Sequence, residues 1–290
     1  MKFDKNTKIL IVGLGLIGGS YAKALSDEGY FVGAIDKKKS SVEYALKNGL
    51  IQVGETSVKK DFVKEFDLIV FALYPHDFIN WIKEYQSSIK SGALITDVTG
   101  VKSFVVENVQ KILRGDLEFV GAHPMAGKEV SGVENADPKI FVGANYIVTP
   151  TKRNTDENVQ AVKDLGRALG FERISSLSPE EHDETVGFLS HLTHCIAVSL
   201  MVSKKSHHLA EYTGDSFRDL TRIAKINDEM WSELFLANKD ELLKQMDLFE
   251  EKFNQLKEDI KNDNREKIRE TLRESTARRK VFDKDAKETK

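Results

Sequence analysis

The sequence has little cysteine and proline, no strong excess of charge and no long apolar run. Cys195 is the single cysteine of the 290 residues, so an internal disulfide is excluded, which fits a reducing cytoplasm. The formal net charge of -3 offers no basic surface for nucleic acid. Without a run of about 18 apolar residues we expect no membrane-spanning helix, and the polar N-terminus predicts no signal peptide. These absences predict a soluble, cytoplasmic protein.

Two halves of the chain differ in their pattern. Up to about Leu177, helical segments alternate with seven predicted strands, which are KILIVGL, YFVGAID, FDLIVFAL, GALITDV, LEFVGAHP, NYIVTP and FERISSL. This alternation predicts an α/β domain with a parallel, doubly wound sheet over residues 1–177. Ser178 and Pro179 then open a helix as its N-cap and first residue. No further proline and no convincing strand follow, so residues 178–290 predict an all-helical domain.

A glycine cluster directly follows the first predicted strand. Gly13, Gly15 and Gly18 form the pattern G-x-G-x-x-G at the start of a helix. In this context the pattern is typical of a loop that places a dinucleotide pyrophosphate on a helix N-terminus. A tight turn without a ligand is the alternative. We count Leu16 and Ile17 in the loop, and Pro75 at the end of a later strand, among the candidate cofactor contacts.

Asp36 bears on the choice of cofactor. It ends the second predicted strand, roughly 20 residues past the glycines, where an acid can hold the ribose hydroxyls. A carboxylate there repels a 2′-phosphate, which favours NAD over NADP. The following Lys37–Lys39 act in the other direction, because a lysine could pair with that phosphate.

Two candidate catalytic residues lie at the ends of predicted strands, where open α/β sheets bind ligands. His123 follows an apolar strand, and a histidine suits general acid–base work because its ordinary pKa lies near physiological pH. A structural histidine bonded to backbone is the alternative. Thr99 lies at the end of the strand GALITDV.

Three histidines fall on one predicted helix in the second half. His191 and His194 are three residues apart and share a face, and His182 lies upstream. A zinc site would need three or four converging ligands, and nothing in the sequence fixes the third. We therefore expect no metal, with one histidine facing the substrate and another packed in the interior.

An arginine near the end of the next motif is the candidate anion-binding group. Asp219 and Arg222 are three residues apart, so on a helix they can pair and orient the guanidinium for a carboxylate. A purely structural salt bridge is the alternative. Trp231 lies on the following helix, where it can form a wall of the substrate pocket.

Taken together, five motifs resemble those of the prephenate and arogenate dehydrogenases of tyrosine biosynthesis. They are GLGLIGGS, DVTGVK, GAHPMAGKEVSGVENA, EHDETVGFLSHLTH and GDSFRDLTRIA followed by MW, and they run from Gly13 to Trp231. The resemblance implies a Rossmann domain, a helical dimerisation domain and a homodimer. It also implies NAD-dependent oxidative decarboxylation of prephenate to 4-hydroxyphenylpyruvate.

The resemblance assigns roles by position. His123 matches the catalytic histidine, and Arg222 matches the arginine that binds a substrate carboxylate. The remaining matches are Asp219 and Glu129 in the ionic network around that arginine, His194 beside the substrate and Trp231 in the pocket.

The chain also departs from the family pattern. Gly100 stands where many relatives carry a serine that hydrogen-bonds the catalytic histidine, so we expect Thr99 to take over that bond. Thr193 replaces a proline of the family motif. Neither a C-terminal regulatory ACT domain nor a fused chorismate mutase is expected.

Three other functions stay open from the sequence. An arogenate dehydrogenase differs in its substrate, and no acid is clearly placed for the substrate ammonium, which favours prephenate. A β-hydroxyacid dehydrogenase would rely on a lysine such as Lys204 or Lys205. A protein that binds NAD without catalysis, as a sensor, is the third.

Overall fold

The computed structural model describes residues 1–205 and 208–283. In this part of the chain the strands are β1 (Lys8–Val12), β2 (Phe31–Ile35), β3 (Val53–Glu55), β4 (Leu68–Phe71), β5 (Leu94–Asp97), β6 (Glu118–Phe119), β7 (Gly121–Pro124), β8 (Asn145–Thr149) and β9 (Arg173–Ser176). The first six form one parallel sheet in the order β3-β2-β1-β4-β5-β6. This is the strand order of a Rossmann domain, which confirms the predicted α/β fold.

The helices begin and end as follows: α1 (Leu16–Asp27), α2 (Lys39–Lys47), α3 (Lys60–Val63), α4 (Pro75–Tyr85), α5 (Ser103–Ile112), α6 (Asp156–Ala168), α7 (Pro179–Val186), α8 (Thr193–Val202), α9 (Asp215–Thr221), α10 (Asp228–Ala237), α11 (Lys239–Lys261) and α12 (Arg265–Arg279). A π-helical segment, Gly187–Leu192, joins α7 to α8, so the chain is helical from Pro179 to Val202. The predicted capping of α7 is present: the Ser178 hydroxyl accepts the Glu181 N–H, and the Glu181 carboxylate accepts the Ser178 N–H.

A second sheet of three strands differs from the sequence expectation of a single parallel sheet. β7 pairs antiparallel with β8, and β8 pairs parallel with β9. The predicted strand LEFVGAHP is in fact two strands, β6 and β7, which belong to different sheets. β3 is short and carries no apolar run, so the sequence pattern does not predict it.

The hydrophobic core covers both faces of the parallel sheet. Successive residues of a strand point to opposite faces, and each face of this sheet is covered. Ile9, Ile11, Leu68 and Val70 belong to one buried cluster, whereas Leu10, Val12, Ile69 and Phe71 belong to the other. Because these strands are parallel, their carboxyl ends lie along the same edge of the sheet. Most of the candidate site residues come directly after these ends.

Two compact units divide the chain by contacts. The first, Met1–Lys239, contains both sheets and the helices through α10. The second, Asp240–Lys290, is described to residue 283 and contains the rest of α11 together with α12, whose N-cap Asn264 accepts the Lys267 N–H. The proposed domain boundary between residues 177 and 178 stays a prediction, and residues 206–207 and 284–290 of the predicted helical domain lie outside the described residues.

The helical run Pro179–Val202 differs from the sequence expectation that no helix is apolar enough to span a membrane. Its length and its mean hydropathy of 1.5 would suffice to cross a membrane, and only 28% of the apolar window is buried. Phe188, Leu189, Met201 and Val202 are exposed on it. An exposed apolar surface of this kind is typical of a site that another protein or a membrane covers.

Candidate active site

The glycine loop lies between β1 and α1 and is built for close backbone approach. Gly13 has φ +100°, and a Cβ there would lie 2.4 Å from the carbonyl oxygen of Ala72. A Cβ on Gly18 would lie 1.9 Å from the carbonyl oxygen of Gly13, so only glycine lets α1 pack on β1. By contrast, no atom lies within 4 Å of a Cβ built on Gly15. The loop therefore leaves open space beside Gly15, at the N-terminus of α1.

The residues around this space fit a dinucleotide. The N-terminus of α1 has no side-chain cap, which leaves its N–H groups for an anion such as a pyrophosphate. Asp36 follows β2, and its carboxylate accepts the N–H groups of Leu14 (2.6 Å) and Lys38 (2.7 Å), which fixes it beside the glycine loop.

The other predicted cofactor contacts lie on the same edge of the sheet. Leu16 is the first residue of α1 and is nearly buried, whereas Ile17 is half-buried against the core. Pro75 is buried as the first residue of α4, after a three-residue turn that follows β4.

His123 lies in β7, one residue before that strand ends. Its Nδ1 is 2.8 Å from Nε2 of His182, which the start of α7 supplies. Removal of its ring from water, together with His182, Lys102 and His191, lowers the pKa of His123 well below its usual value. The ring is therefore neutral near physiological pH, and a neutral imidazole can accept a proton.

Thr99 does not make the predicted bond to His123. Its hydroxyl donates a hydrogen bond to the Asp97 carboxylate and accepts one from the ammonium of Lys102 at 3.0 Å. Lys102 and Asp97 form a fully buried ion pair at 2.6 Å, and Asp97 also accepts the N–H of Ala122. Thr99 thus belongs to a buried network that fixes the turn after β5. The ring nitrogen that bonds His123 comes from His182 instead.

Asp183 joins the helical segment to the start of α5. Its two carboxylate oxygens accept the N–H groups of Lys102 and Ser103, each at 2.8 Å, and one of them is 2.8 Å from Nδ1 of His182. These N–H groups are free ends of α5 that need an acceptor. Burial alone would raise the pKa of Asp183, but the His182 ring and the two backbone donors lower it overall.

The other two histidines of the helical segment lie against α10. His194 stacks on Trp231 with ring centroids 3.7 Å apart, and its Nδ1 is 2.8 Å from the carbonyl oxygen of Ser190. His191 is buried, its Nδ1 is 3.3 Å from the amide of Asn238, and burial lowers its pKa to about 4. In the described residues no three histidine, cysteine or acidic side chains converge as a metal ion would require.

Arg222 pairs with Glu129, one of the two acids that the family resemblance places around it, whereas the expected pairing with Asp219 is not formed. α9 ends at Thr221 and Arg222 begins a 3-10 turn, so the regular helical spacing that the prediction assumed is interrupted, and Asp219 is exposed. Glu129 belongs to the loop that follows β7. The pair lies close enough to His194 to act on its pKa, which Glu129 raises and Arg222 lowers. The ion pair is half-exposed, so the guanidinium keeps free donors for a second anion.

Contacts between α10 and the turn after β4 hold the helices at this edge. Glu233 accepts the backbone N–H of His76 at 2.6 Å and lies 2.5 Å from its ring nitrogen. Asn227, the N-cap of α10, donates to the Tyr74 hydroxyl. Lys204 and Lys205, the alternative catalytic lysines, are exposed beyond the end of α8.

Sequence reasoning missed the roles of His182 and Asp183. Both lie within the motif EHDETVGFLSHLTH, but the motif says only that they begin a helix. Their partners, His123 and Lys102, are 59 and 81 residues away, and no local pattern reports such contacts.

Comparison with known proteins identifies the two parts of the chain. The family model described as "Prephenate dehydrogenase, nucleotide-binding domain" matches residues 21–173, and that described as "Prephenate dehydrogenase, dimerization domain" matches residues 178–274. The prephenate dehydrogenase of Bacillus subtilis strain 168 is 35% identical over 249 residues, which cover 82% of this chain and 66% of that protein.

Two solved structures resemble the chain over almost its whole length. The prephenate dehydrogenase of Aquifex aeolicus, crystallised with hydroxyphenyl propionate and NAD+, is 34% identical with a TM-score of 0.87, over 96% of this chain and 98% of that one. The arogenate dehydrogenase of Synechocystis is 25% identical with a TM-score of 0.81, over 96% of this chain and 100% of that one.

The fold and the site together define a Rossmann-type, dinucleotide-binding protein in which a helix brings His182 to His123 of β7. The glycine loop, His123 and the motif of α7 all lie in one compact unit. The chain belongs to the prephenate dehydrogenase family.

Proposed function

We propose that the chain is an NAD-dependent prephenate dehydrogenase that acts in tyrosine biosynthesis in the cytoplasm. One observation carries the proposal. A neutral histidine, His123 of β7, lies beside the turn that follows β5 of the Rossmann sheet, in the same unit as the glycine loop and the Arg222–Glu129 pair. The Aquifex aeolicus protein, which shares this fold, binds NAD+ and a hydroxyphenyl acid, and these resemble the cofactor and the product of the reaction.

The residues of the chain divide the work of the reaction. NAD+, held by the glycine loop and Asp36, supplies the acceptor for a hydride from the ring carbon that bears the hydroxyl. His123 accepts the hydroxyl proton as that carbon becomes a ketone. Loss of the ring carboxylate as CO2 restores an aromatic ring, and His123 returns the proton to the oxygen, which gives 4-hydroxyphenylpyruvate and NADH. Arg222 holds a carboxylate of the substrate, and Trp231 and His194 form a wall beside it.

Arogenate is the alternative substrate, because the similar Synechocystis structure is an arogenate dehydrogenase. The purified chain, mixed with NAD+ and either prephenate or arogenate, is expected to form NADH with a higher kcat/KM on prephenate. A higher kcat/KM on arogenate would reassign the substrate. Binding of NAD+ without turnover of either compound, or of a β-hydroxyacid, would overturn the proposal in favour of a sensor.

Asp36 is expected to set the cofactor preference. Its carboxylate lies beside the glycine loop, so Asp36→Ser removes both a ribose acceptor and the repulsion of a 2′-phosphate. Loss of a charge-assisted bond of about 1.5 to 3 kcal/mol should reduce the ratio of kcat/KM for NAD to that for NADP by about 10- to 150-fold. The control is Asp27→Ser, which removes an exposed acid at the end of α1. An unchanged ratio in Asp36→Ser would contradict the assignment.

A homodimer is expected to cover the exposed apolar side chains of the helices. Besides those of Pro179–Val202, α11 exposes Leu243, Leu248, Phe249 and Phe253, more than a solvated helix needs. The match of residues 178–274 to a dimerization domain favours a second copy over a membrane. Light scattering without detergent should give twice the chain mass of 32.7 kDa at micromolar concentration.

A charge placed among the exposed apolar side chains of α11 should weaken the dimer. Phe253→Glu is expected to raise the dimer dissociation constant, whereas Asn254→Glu adds the same charge to the neighbouring exposed position of α11 and serves as the control. A wild-type chain that scatters as a monomer, or that stays in solution only with detergent, would reject the homodimer.

A further inference from the structure

His123, His182 and Asp183 form a chain of hydrogen bonds that leads from β7 to α7. Nδ1 of His123 is 2.8 Å from Nε2 of His182, and Nδ1 of His182 is 2.8 Å from a carboxylate oxygen of Asp183. His182 is completely buried, so both of its ring nitrogens must find their partners inside the protein. The rings of the two histidines meet edge to face.

The direction of each bond in this chain of hydrogen bonds follows from its far end. The Asp183 carboxylate already accepts two backbone N–H groups, whose protons cannot move, so it is an acceptor at every contact. A neutral imidazole has one N–H and one bare nitrogen. His182 must therefore place its N–H on Nδ1, toward Asp183, and present bare Nε2 to His123. In turn His123 must carry its proton on Nδ1.

The nitrogen of His123 that remains is Nε2, and it faces the site. A Cβ built on Gly100, at the carboxyl end of β5, would lie 3.8 Å from it, in ordinary contact. Because residue 100 is glycine, the turn after β5 places no side chain of its own against Nε2, although two methyl carbons of Leu234 would lie 3.5 Å from the same Cβ. With Nδ1 bonded to His182, Nε2 is the nitrogen left to take the proton of a substrate hydroxyl.

Resting on the proposed function, we infer that His182 and Asp183 are positioning residues that fix the tautomer of His123, so that its Nε2 is the proton acceptor. In the other tautomer Nε2 of His123 already carries a proton, so it cannot accept one from the substrate hydroxyl. The ammonium of the fully buried Lys102 donates to Asp97 and Thr99, and neither of these bonds involves a ring nitrogen of His123 or His182.

Two substitutions of His182 separate this role from packing. In His182→Gln the side-chain amide oxygen can reach the position of Nε2 and accept the N–H of His123, whereas His182→Phe keeps a buried ring with no acceptor. We expect His182→Phe to lower kcat on prephenate by about 10- to 100-fold, a part of what general acid–base catalysis contributes, with KM nearly unchanged. His182→Gln should recover most of that loss.

The matched control for stability is Val186→Ala, which removes a buried side chain from the same helix, α7. It is expected to lower the melting temperature as His182→Phe does, without the loss of kcat. An equal loss of kcat in Val186→Ala, or wild-type kcat in His182→Phe, would overturn the positioning role.

A spectroscopic readout tests the tautomer without any turnover. In the wild-type chain with 15N-labelled histidine, the ring of His123 should show protonated Nδ1 and bare Nε2, and in His182→Phe this preference should be lost. Protonated Nε2 on His123 in the wild type would overturn the inference even if the enzyme is active. If no substrate is turned over, the proposed function fails while the tautomer result still decides this inference.

Discussion

The variant His123→Asn is expected to lower kcat on prephenate by about 10² to 10⁴, the usual contribution of general acid–base catalysis. Asparagine has no nitrogen that accepts a proton, but its size is close to that of the imidazole, so the ring of the substrate should still bind. KM for prephenate and for NAD is expected to change much less than kcat, because the lost interaction matters only as the hydroxyl proton leaves. Steady-state kinetics with both substrates, beside a thermal melt, measures this.

The pH profile of the wild-type enzyme gives a second reading of the same group. Burial, followed by His182 and Lys102, lowers the pKa of His123 well below its usual value. Since the neutral ring is the active form, acid inactivates only below that lowered pKa, and kcat should stay level as the pH falls through about 6.5, the ordinary value for histidine. An acid limb at or above 6.5, or the same profile and rate in His123→Asn, would show that another group takes the proton.

The sequence predicts the architecture of the first half well because its signals are local. A glycine loop between an apolar strand and a helix, with Asp36 after the next strand, specifies a Rossmann unit within about 30 residues. The second sheet is not predicted, because the signals that define it are not local. Phe119 ends β6, and Gly121 begins β7 only two residues later, so one apolar run enters two sheets. The pairing of strands depends on distant segments, and periodicity does not carry it.

The candidate site divides in the same way. His123 and Arg222 can be named from strand ends and motifs, but the spacing of residues along the chain does not identify their partners. Glu129 is 93 residues from Arg222, so only the family resemblance indicates it, whereas helical spacing favours the nearby Asp219, which does not form the pair. Thr99 was expected to bond His123 because it stands next to Gly100, yet the buried ammonium of Lys102 and carboxylate of Asp97 occupy its hydroxyl.

The variant Arg222→Ala is expected to raise KM for prephenate, with a smaller change in kcat. The guanidinium is paired with Glu129 on one side and keeps donors that can hold a substrate carboxylate by two parallel bonds. Loss of such charge-assisted bonds costs about 1.5 to 3 kcal/mol, which corresponds to a fall in kcat/KM of about 10- to 150-fold. Arg222→Lys should lie between this variant and the wild type, because an ammonium cannot form the two-bond fork.

The chain supplies a matched control for this variant in Arg218, which lies on α9 and pairs with Asp215 three residues earlier in an exposed ion pair. Arg218→Ala removes the same charge from the same stretch of chain, so it reports any general effect of net charge on the binding of an anion, and its KM for prephenate should stay near the wild-type value. Affinity for NAD should not move in either variant, because the glycine loop binds the cofactor. If Arg222→Ala melts early and loses NAD binding as well, the ion pair with Glu129 is a structural link and the assignment of the carboxylate site fails. A stable Arg222→Ala protein with wild-type KM would equally reject it, since the substrate carboxylate would then be held by other groups.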